Sequence, residues 1–209
     1  MIAAGVLLLA AVVVVGIRLQ SVRGPVTVDA VASTKIAQHG VTGGPVATEG
    51  SRAAVQLGNE LPVMLGMAAL ALWAVFRRDA RGAIVAILGP SAAIFLTEYV
   101  LKPGFDRTTT HGALSYPSGH VTAVVALATV ALLLVYRYDG PWMALLWSPI
   151  ALGAVAAIAF AVVALRWHYV TDSFGGVALG VGVVLLVAGA ADSISGEVRR
   201  PFARGRLGT

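Results

Sequence analysis

The sequence contains no cysteine, which excludes disulfides and thiolate metal sites. Charge is almost as scarce. Asp, Glu, Lys and Arg make up 12% of the 209 residues, about half of the roughly 25% carried by soluble domains. No basic run exceeds two residues, so the net charge of +5 is not a nucleic-acid patch. What is abundant is hydrocarbon: 58% of the residues are hydrophobic and the mean hydropathy is +0.85. That balance describes a chain whose solvent is largely lipid.

The apolar residues fall into six runs, about 2–17, 61–76, 82–101, 121–136, 142–165 and 174–191. About 20 residues cross the hydrocarbon core, with a lower limit near 17, so the first run is short for a span. It also lacks the preceding Lys or Arg of a secretory signal. The small-residue site Ala30-Val31-Ala32 lies well beyond its end, so the run is read as a helix. The pattern predicts an all-α fold, a six-transmembrane-helix bundle forming a single integral membrane domain over residues 1–209. Pro149 marks a kink of the kind that buried membrane helices tolerate.

The interval 18–60 is the longest polar stretch, rich in Gly, Thr and Ala. Asp29 is a cap for a short helix reaching about Gln38. Unstructured loops of this length are uncommon in compact domains; the interval is an extramembrane connector, or a flap over a site or lipid entrance. His39 has no context comparable to that of the other histidines. Six spans place both termini on one side. Arg77, Arg78, Arg81, Arg137 and the tail 192–209, with Arg199, Arg200, Arg204 and Arg206, give that side eight of the fifteen basic residues. The positive-inside rule makes it cytoplasmic and the interval 18–60 extracytoplasmic.

Two polar knots interrupt the hydrocarbon, and both fall on the outer side. The first runs from Lys102 to His120 and gathers Lys102, Arg107, His111, Ser118, Gly119 and His120. The second is Arg166-Trp167-His168-Tyr169-Val170-Thr171-Asp172. Ionisable groups are expensive near a bilayer, so their concentration marks a functional site. Pro117-Ser118-Gly119-His120 opens a helix, where unpaired N–H groups and the positive dipole end attract an anion. Pro117 fixes the approach of the chain, Ser118 caps or donates, Gly119 admits an anion to the backbone, and His120 gives a proton. An ordinary capped helix start is the competing reading. His168 and Asp172, four apart, share one helical face, where a carboxylate holds one ring nitrogen and frees the other to attack. Here the alternative is a buried pair that caps the last helix. Arg166 beside them is a bidentate phosphate ligand. Trp167 and Tyr169 suit the membrane interface. Glu98 precedes Lys102 by four, the favourable order for an ion pair. His111 is read as a surface residue.

Lys102 with Arg107, then Pro117-Ser118-Gly119-His120, then His168 with Asp172 resemble the three motifs of the type 2 phosphatidic acid phosphatase (PAP2) superfamily. The resemblance implies a six-helix membrane enzyme that hydrolyses a phosphate monoester or diphosphate on a polyprenyl or glycerolipid. It implies no metal and no cofactor. His168 would form a phosphohistidine, Asp172 would orient it and His120 would protonate the leaving oxygen. Lys102, Ser118 and Gly119 would hold the phosphoryl oxygens, and Glu98 would aim Lys102. Two of the three motifs depart from the family pattern. Thr109 and Thr110 stand where its first motif has Arg-Pro, and Ala161 and Val162 where its third has Ser-Arg. Arg107 and Arg166 are the displaced cations expected to replace the missing arginines. Other readings are a lipid phosphotransferase, and a phosphate-lipid-binding subunit of a membrane complex. The expected partners are the lipid phosphate substrate and membrane lipids, with a homodimer or membrane complex left open; under any of these readings the small residues Gly175, Gly176, Gly180 and Gly182 permit close helix contacts. The expected location is a bacterial cytoplasmic membrane with the site facing outward.

Overall fold

The structure, a computed structural model, describes residues 1–36 and 45–203. Gln38, His39, Arg204 and Arg206 lie outside the described residues, as do the side chains of Arg199 and Arg200. Helix α1 (Ile2–Leu19) takes up the first apolar run and adds Arg18 and Leu19 to it. The polar interval that follows holds α2 (Thr27–Ile36) and α3 (Pro45–Gln56). Asp29 sits in the first turn of α2 and accepts a long hydrogen bond from Val26 N at 3.4 Å, the one half of a capping box that a valine N-cap allows. A turn at Leu57 to Asn59 leads into α4 (Glu60–Phe76). The next helix, α5 (Ala80–Phe95), starts under Asp79, whose carboxylate accepts from Gly82 N at 3.0 Å. It continues through a π turn, Leu96–Leu101, into the single turn α6 (Lys102–Phe105). Helix α7 (Gly119–Asp139) ends at Gly140, whose φ of 91° turns the chain, and α8 (Pro141–Ala164) starts on a proline. Helix α9 (Val170–Ala203) closes the bundle.

Among the described residues, five stretches are long and apolar enough to cross a membrane: Ile2–Leu19, Ala80–Phe105, Gly119–Asp139, Pro141–Ala164 and Val170–Ser193. Thr48–Gln56 and Glu60–Phe76, bent by 49° at their junction, make a sixth if counted as one span. The protein is therefore an all-helical integral membrane protein. Its outer face supports this, since Phe76 is 88% exposed and Trp142 80% exposed, surfaces that only lipid tolerates in such number.

Helix α9 is the centre of the bundle and packs on α1, α5 and α7, while α7 also packs on α8. Val12, Ala86, Ala93, Val130 and Val184 form one buried core between these helices. Val55, Val121, Ile158 and Val162 form a second beneath α3. Small residues set the spacing. A Cβ on Gly176 would lie 2.8 Å from Ser118 O, and one on Gly180 would lie 2.8 Å from Thr122 O. Gly182 meets Gly5 of α1, and Gly175 meets the ring of Tyr116. The close helix contacts that this glycine face permits are made inside the bundle.

Candidate active site

The site is built where the π turn delivers Lys102. Its N–H reaches back to Thr97 O, five residues earlier, and Pro103 follows with no N–H to continue the ladder. Lys102 Nζ donates to both carboxylate oxygens of Glu98, each at 2.7 Å. Asp106 then takes a left-handed conformation (φ 47°) that turns the chain away from the helix axis. The loop beyond is laced to the end of α1. Thr108 N donates to Val22 O at 3.2 Å, and Gly24 N donates to Thr108 O at 3.0 Å. Within the loop Ser115 N donates to Arg107 O at 2.9 Å. Buried Tyr116 donates its hydroxyl to Val12 O at 2.9 Å; burial raises this phenol's pKa well above the usual range, keeping it a donor.

Beyond the cis Tyr116–Pro117 bond, α7 opens at Gly119 with Ser118 as its N-cap. Ser118 is fully buried, its N–H bonds Asp172 O at 3.0 Å, and its Oγ has no partner among the described residues. The backbone at Gly119 is approached by charge. A Cβ there would collide with Glu98 Oε1 and lie 3.5 Å from Lys102 Nζ. The Glu98 carboxylate therefore rests against the helix start that the sequence marks as an anion site.

His168 is 9% exposed, and its Nδ1 is held at 2.9 Å by Ser115 O. A carbonyl oxygen only accepts, so Nδ1 carries the proton and Nε2 is the free nitrogen. Asp172, expected to hold this ring, is 3.6 Å away and differently engaged. Its Oδ2 accepts from Tyr169 N at 2.8 Å, the capping-box bond of α9. Its Oδ1 accepts from Arg107 Nη1 at 2.5 Å. The tautomer is set by the carbonyl of Ser115, and the aspartate acts on the ring through its field.

The geometry corrects the expectation for the two displaced arginines, which do not meet. Arg107 is completely buried, with Nη1 donating to Asp172 and to Thr171 Oγ1 (2.6 Å) and Nη2 donating to Asp29 Oδ2 (2.6 Å). Its guanidinium lies 4.9 Å from the centre of the Tyr169 ring, and only Nε lacks a partner. Two carboxylates consume it, and none of it lines the cavity described below. Arg166 takes the other extreme. With φ at 60° and its N–H bonded to Val163 O at 3.0 Å, it lies between α8 and α9, exposed, its guanidinium without a hydrogen-bond or ion-pair partner among the described residues. His111 is exposed on the loop.

Lys102, Glu98, Gly119, His120 and His168 line one cavity of about 680 Å³. The sequence did not mark three other residues there as site residues. Asn59, at the bend between α3 and α4, donates from Nδ2 to Gln56 Oε1 at 2.6 Å, which turns its Oδ1 toward His120 Nε2 at 3.2 Å. His120 then carries its proton on Nε2. Trp167, read as an interface anchor, lines the cavity with its ring centre 5.7 Å from that of His120. Glu60 adds a second carboxylate to the wall. The polar interval is therefore more than a connector, because Asn59 borders the cavity and Asp29 reaches behind it. Among the described residues no cluster of three or more His, Asp or Glu has the arrangement of a metal site.

Comparison with known proteins places this geometry. The family model of the PAP2 superfamily matches residues 89–192, a range holding Lys102, His120, His168 and Asp172. No match is found among the curated proteins. Among solved structures, the chain is similar to the first transmembrane PAP2 type phosphatidylglycerolphosphate phosphatase of Bacillus subtilis. The TM-score is 0.70 at 20% identity, over 91% of this chain and 96% of that one, a likeness of fold.

Proposed function

As the chain belongs to the PAP2 superfamily, we propose that it removes phosphate from a membrane lipid by transferring it first to His168. The observation that carries this reading is the pairing of two histidines on one cavity. One has a free Nε2 fixed by its Nδ1–H bond to Ser115, and the other presents a proton on Nε2. His168 Nε2 attacks phosphorus, the bond from phosphorus to the lipid oxygen breaks, and His120, entering as the imidazolium, gives that oxygen its Nε2 proton and is left neutral. Water then attacks phosphorus, the bond from phosphorus to His168 Nε2 breaks, and the now neutral His120 takes the proton of that water, releasing phosphate and restoring both rings.

Charge on the phosphoryl oxygens is met by Lys102, the backbone N–H groups at Gly119 and the unpartnered Ser118 Oγ. Glu98 occupies that position in the structure, so an incoming phosphate takes Lys102 from it. The cavity borders the helix ends and carries Leu61, Leu114 and Trp167, which suits a phosphate headgroup with its chain in the bilayer. The substrate class is a lipid phosphate monoester or diphosphate, polyprenyl or glycerolipid. Phosphatidylglycerol phosphate is included because the similar Bacillus protein is described as its phosphatase. The site faces outward from a bacterial cytoplasmic membrane. The purified protein should release phosphate from a short-chain lipid phosphate in excess chelator, and His168→Ala should abolish it. Release that depends on added divalent metal, or that survives His168→Ala, would sink the proposal. Release only with an acceptor alcohol would make the protein a phosphotransferase.

A further inference from the structure

Asp29 lies outside residues 89–192, on a helix in the long polar interval, yet it is as buried as Asp172. Its Oδ1 accepts from Thr171 N at 2.9 Å, and its Oδ2 accepts from Arg107 Nη2 at 2.6 Å and Thr171 Oγ1 at 2.9 Å. Burying a second carboxylate is costly, and hydrogen bonds from so many donors are what make it bearable. The consequence is a buried unit of two aspartates and one guanidinium, with a net charge of minus one beside His168. If Arg107 faced Asp172 alone, it would cancel the negative field that the imidazole ring feels. With Asp29 sharing the guanidinium, part of that field remains.

The same residue fixes geometry. Arg107 is pinned at both terminal nitrogens, so its backbone carbonyl is held where Ser115 N bonds it at 2.9 Å. The carbonyl of Ser115 in turn holds His168 Nδ1. Asp29 also bonds a first-turn N–H of α9, the helix that carries Asp172. We propose that Asp29 is a positioning residue of this site, acting through Arg107 and Thr171 to hold the Asp172 charge and the Ser115 carbonyl against His168. This rests on the reading of His168 as nucleophile for its kinetic arm, but not for its spectroscopic one.

The test uses the full chain in lipid nanodiscs, as wild type, Asp29→Asn and Thr171→Val. Asp29→Asn keeps the shape and loses the charge; Thr171→Val removes only the shared hydroxyl. With a short-chain lipid phosphate, kcat should fall about 10- to 100-fold in Asp29→Asn, the scale of a small misplacement of reacting groups. It should fall several-fold in Thr171→Val, and KM should stay within about twofold in both, because Asp29 does not touch the cavity. Thermal midpoints measured on the same samples separate this from lost folding. Wild-type kcat in a folded Asp29→Asn, or a loss that only follows the folded fraction, overturns the proposal. If Asp29→Asn does not fold, Thr171→Val decides by the same criteria. Nitrogen-15 spectra of labelled histidine should show His168 protonated at Nδ1 in the wild type and as a tautomer mixture in the variants. Unchanged spectra overturn the proposal. Should the wild type release no phosphate, the proposed function fails and the spectra still decide the role of Asp29.

Discussion

Lys102 keeps its ammonium at the cavity wall under Glu98, whereas Arg107, a few residues on, is turned inward and consumed by two aspartates. The two cations of the first knot therefore differ in how they fail. In the proposed mechanism Lys102 is a phosphate ligand, so Lys102→Ala should keep the fold and lower kcat/KM about 10²- to 10³-fold, as for one oxyanion donor. Removing Arg107 strands two buried carboxylates, and Arg107→Met should cost about 3–5 kcal/mol of stability, read as a lower thermal midpoint. Arg166→Ala, at an exposed side chain, should leave activity near wild type; a loss as large as that of Lys102→Ala would mean that Arg166 swings into the cavity with substrate. Glu98→Gln should strengthen inhibition by inorganic vanadate, because it takes a negative charge from the helix start that the anion needs. Residue types were legible in the sequence here, but their directions were not. Nothing in Lys102 to Arg107 tells which cation meets Asp29, a partner 78 residues away.

Among the elements, the apolar runs mark the middles of the spans, because the bilayer sets their length, but not their ends: the run 174–191 lies inside α9 (Val170–Ala203), and the run 82–101 passes from α5 into the π turn. Helix α3 escaped because it holds no long apolar run, although it is amphipathic and Val55 seats its apolar face against Val121 and Ile158. The π turn escaped as well, and it is what delivers Lys102 to the cavity. The contact between α7 and α9 carries a sharp expectation. Gly180→Leu drives a side chain into the Thr122 carbonyl, backbone that cannot yield, and should cost about 1–3 kcal/mol or more. Gly153→Ala on α8, where a Cβ meets nothing within 4 Å, should instead raise stability by about 0.5–1 kcal/mol. Unfolding in detergent with denaturant reads both.

For the whole molecule, the ends of the bundle differ in character. One end holds the cavity and the buried Arg107 unit. At the ends of α4 and α7, Arg137 meets Asp79 at 3.0 Å and Asp192 at 3.6 Å, and Arg77 meets Asp139 at 3.6 Å. That cluster is the basic side that the sequence assigned to the cytoplasm. The absence of native cysteine makes the orientation directly measurable. His111→Cys should react with a membrane-impermeant maleimide on intact cells, and Asp139→Cys only after permeabilisation; the reverse pattern would place the site inside. The account as a whole turns on a covalent intermediate. Rapid acid-free quenching of the protein with a phosphorus-32-labelled lipid phosphate should trap label that is stable in alkali, lost in acid and absent from His168→Ala. Steady turnover with no such label at any quench time, or label that persists in His168→Ala, would contradict it.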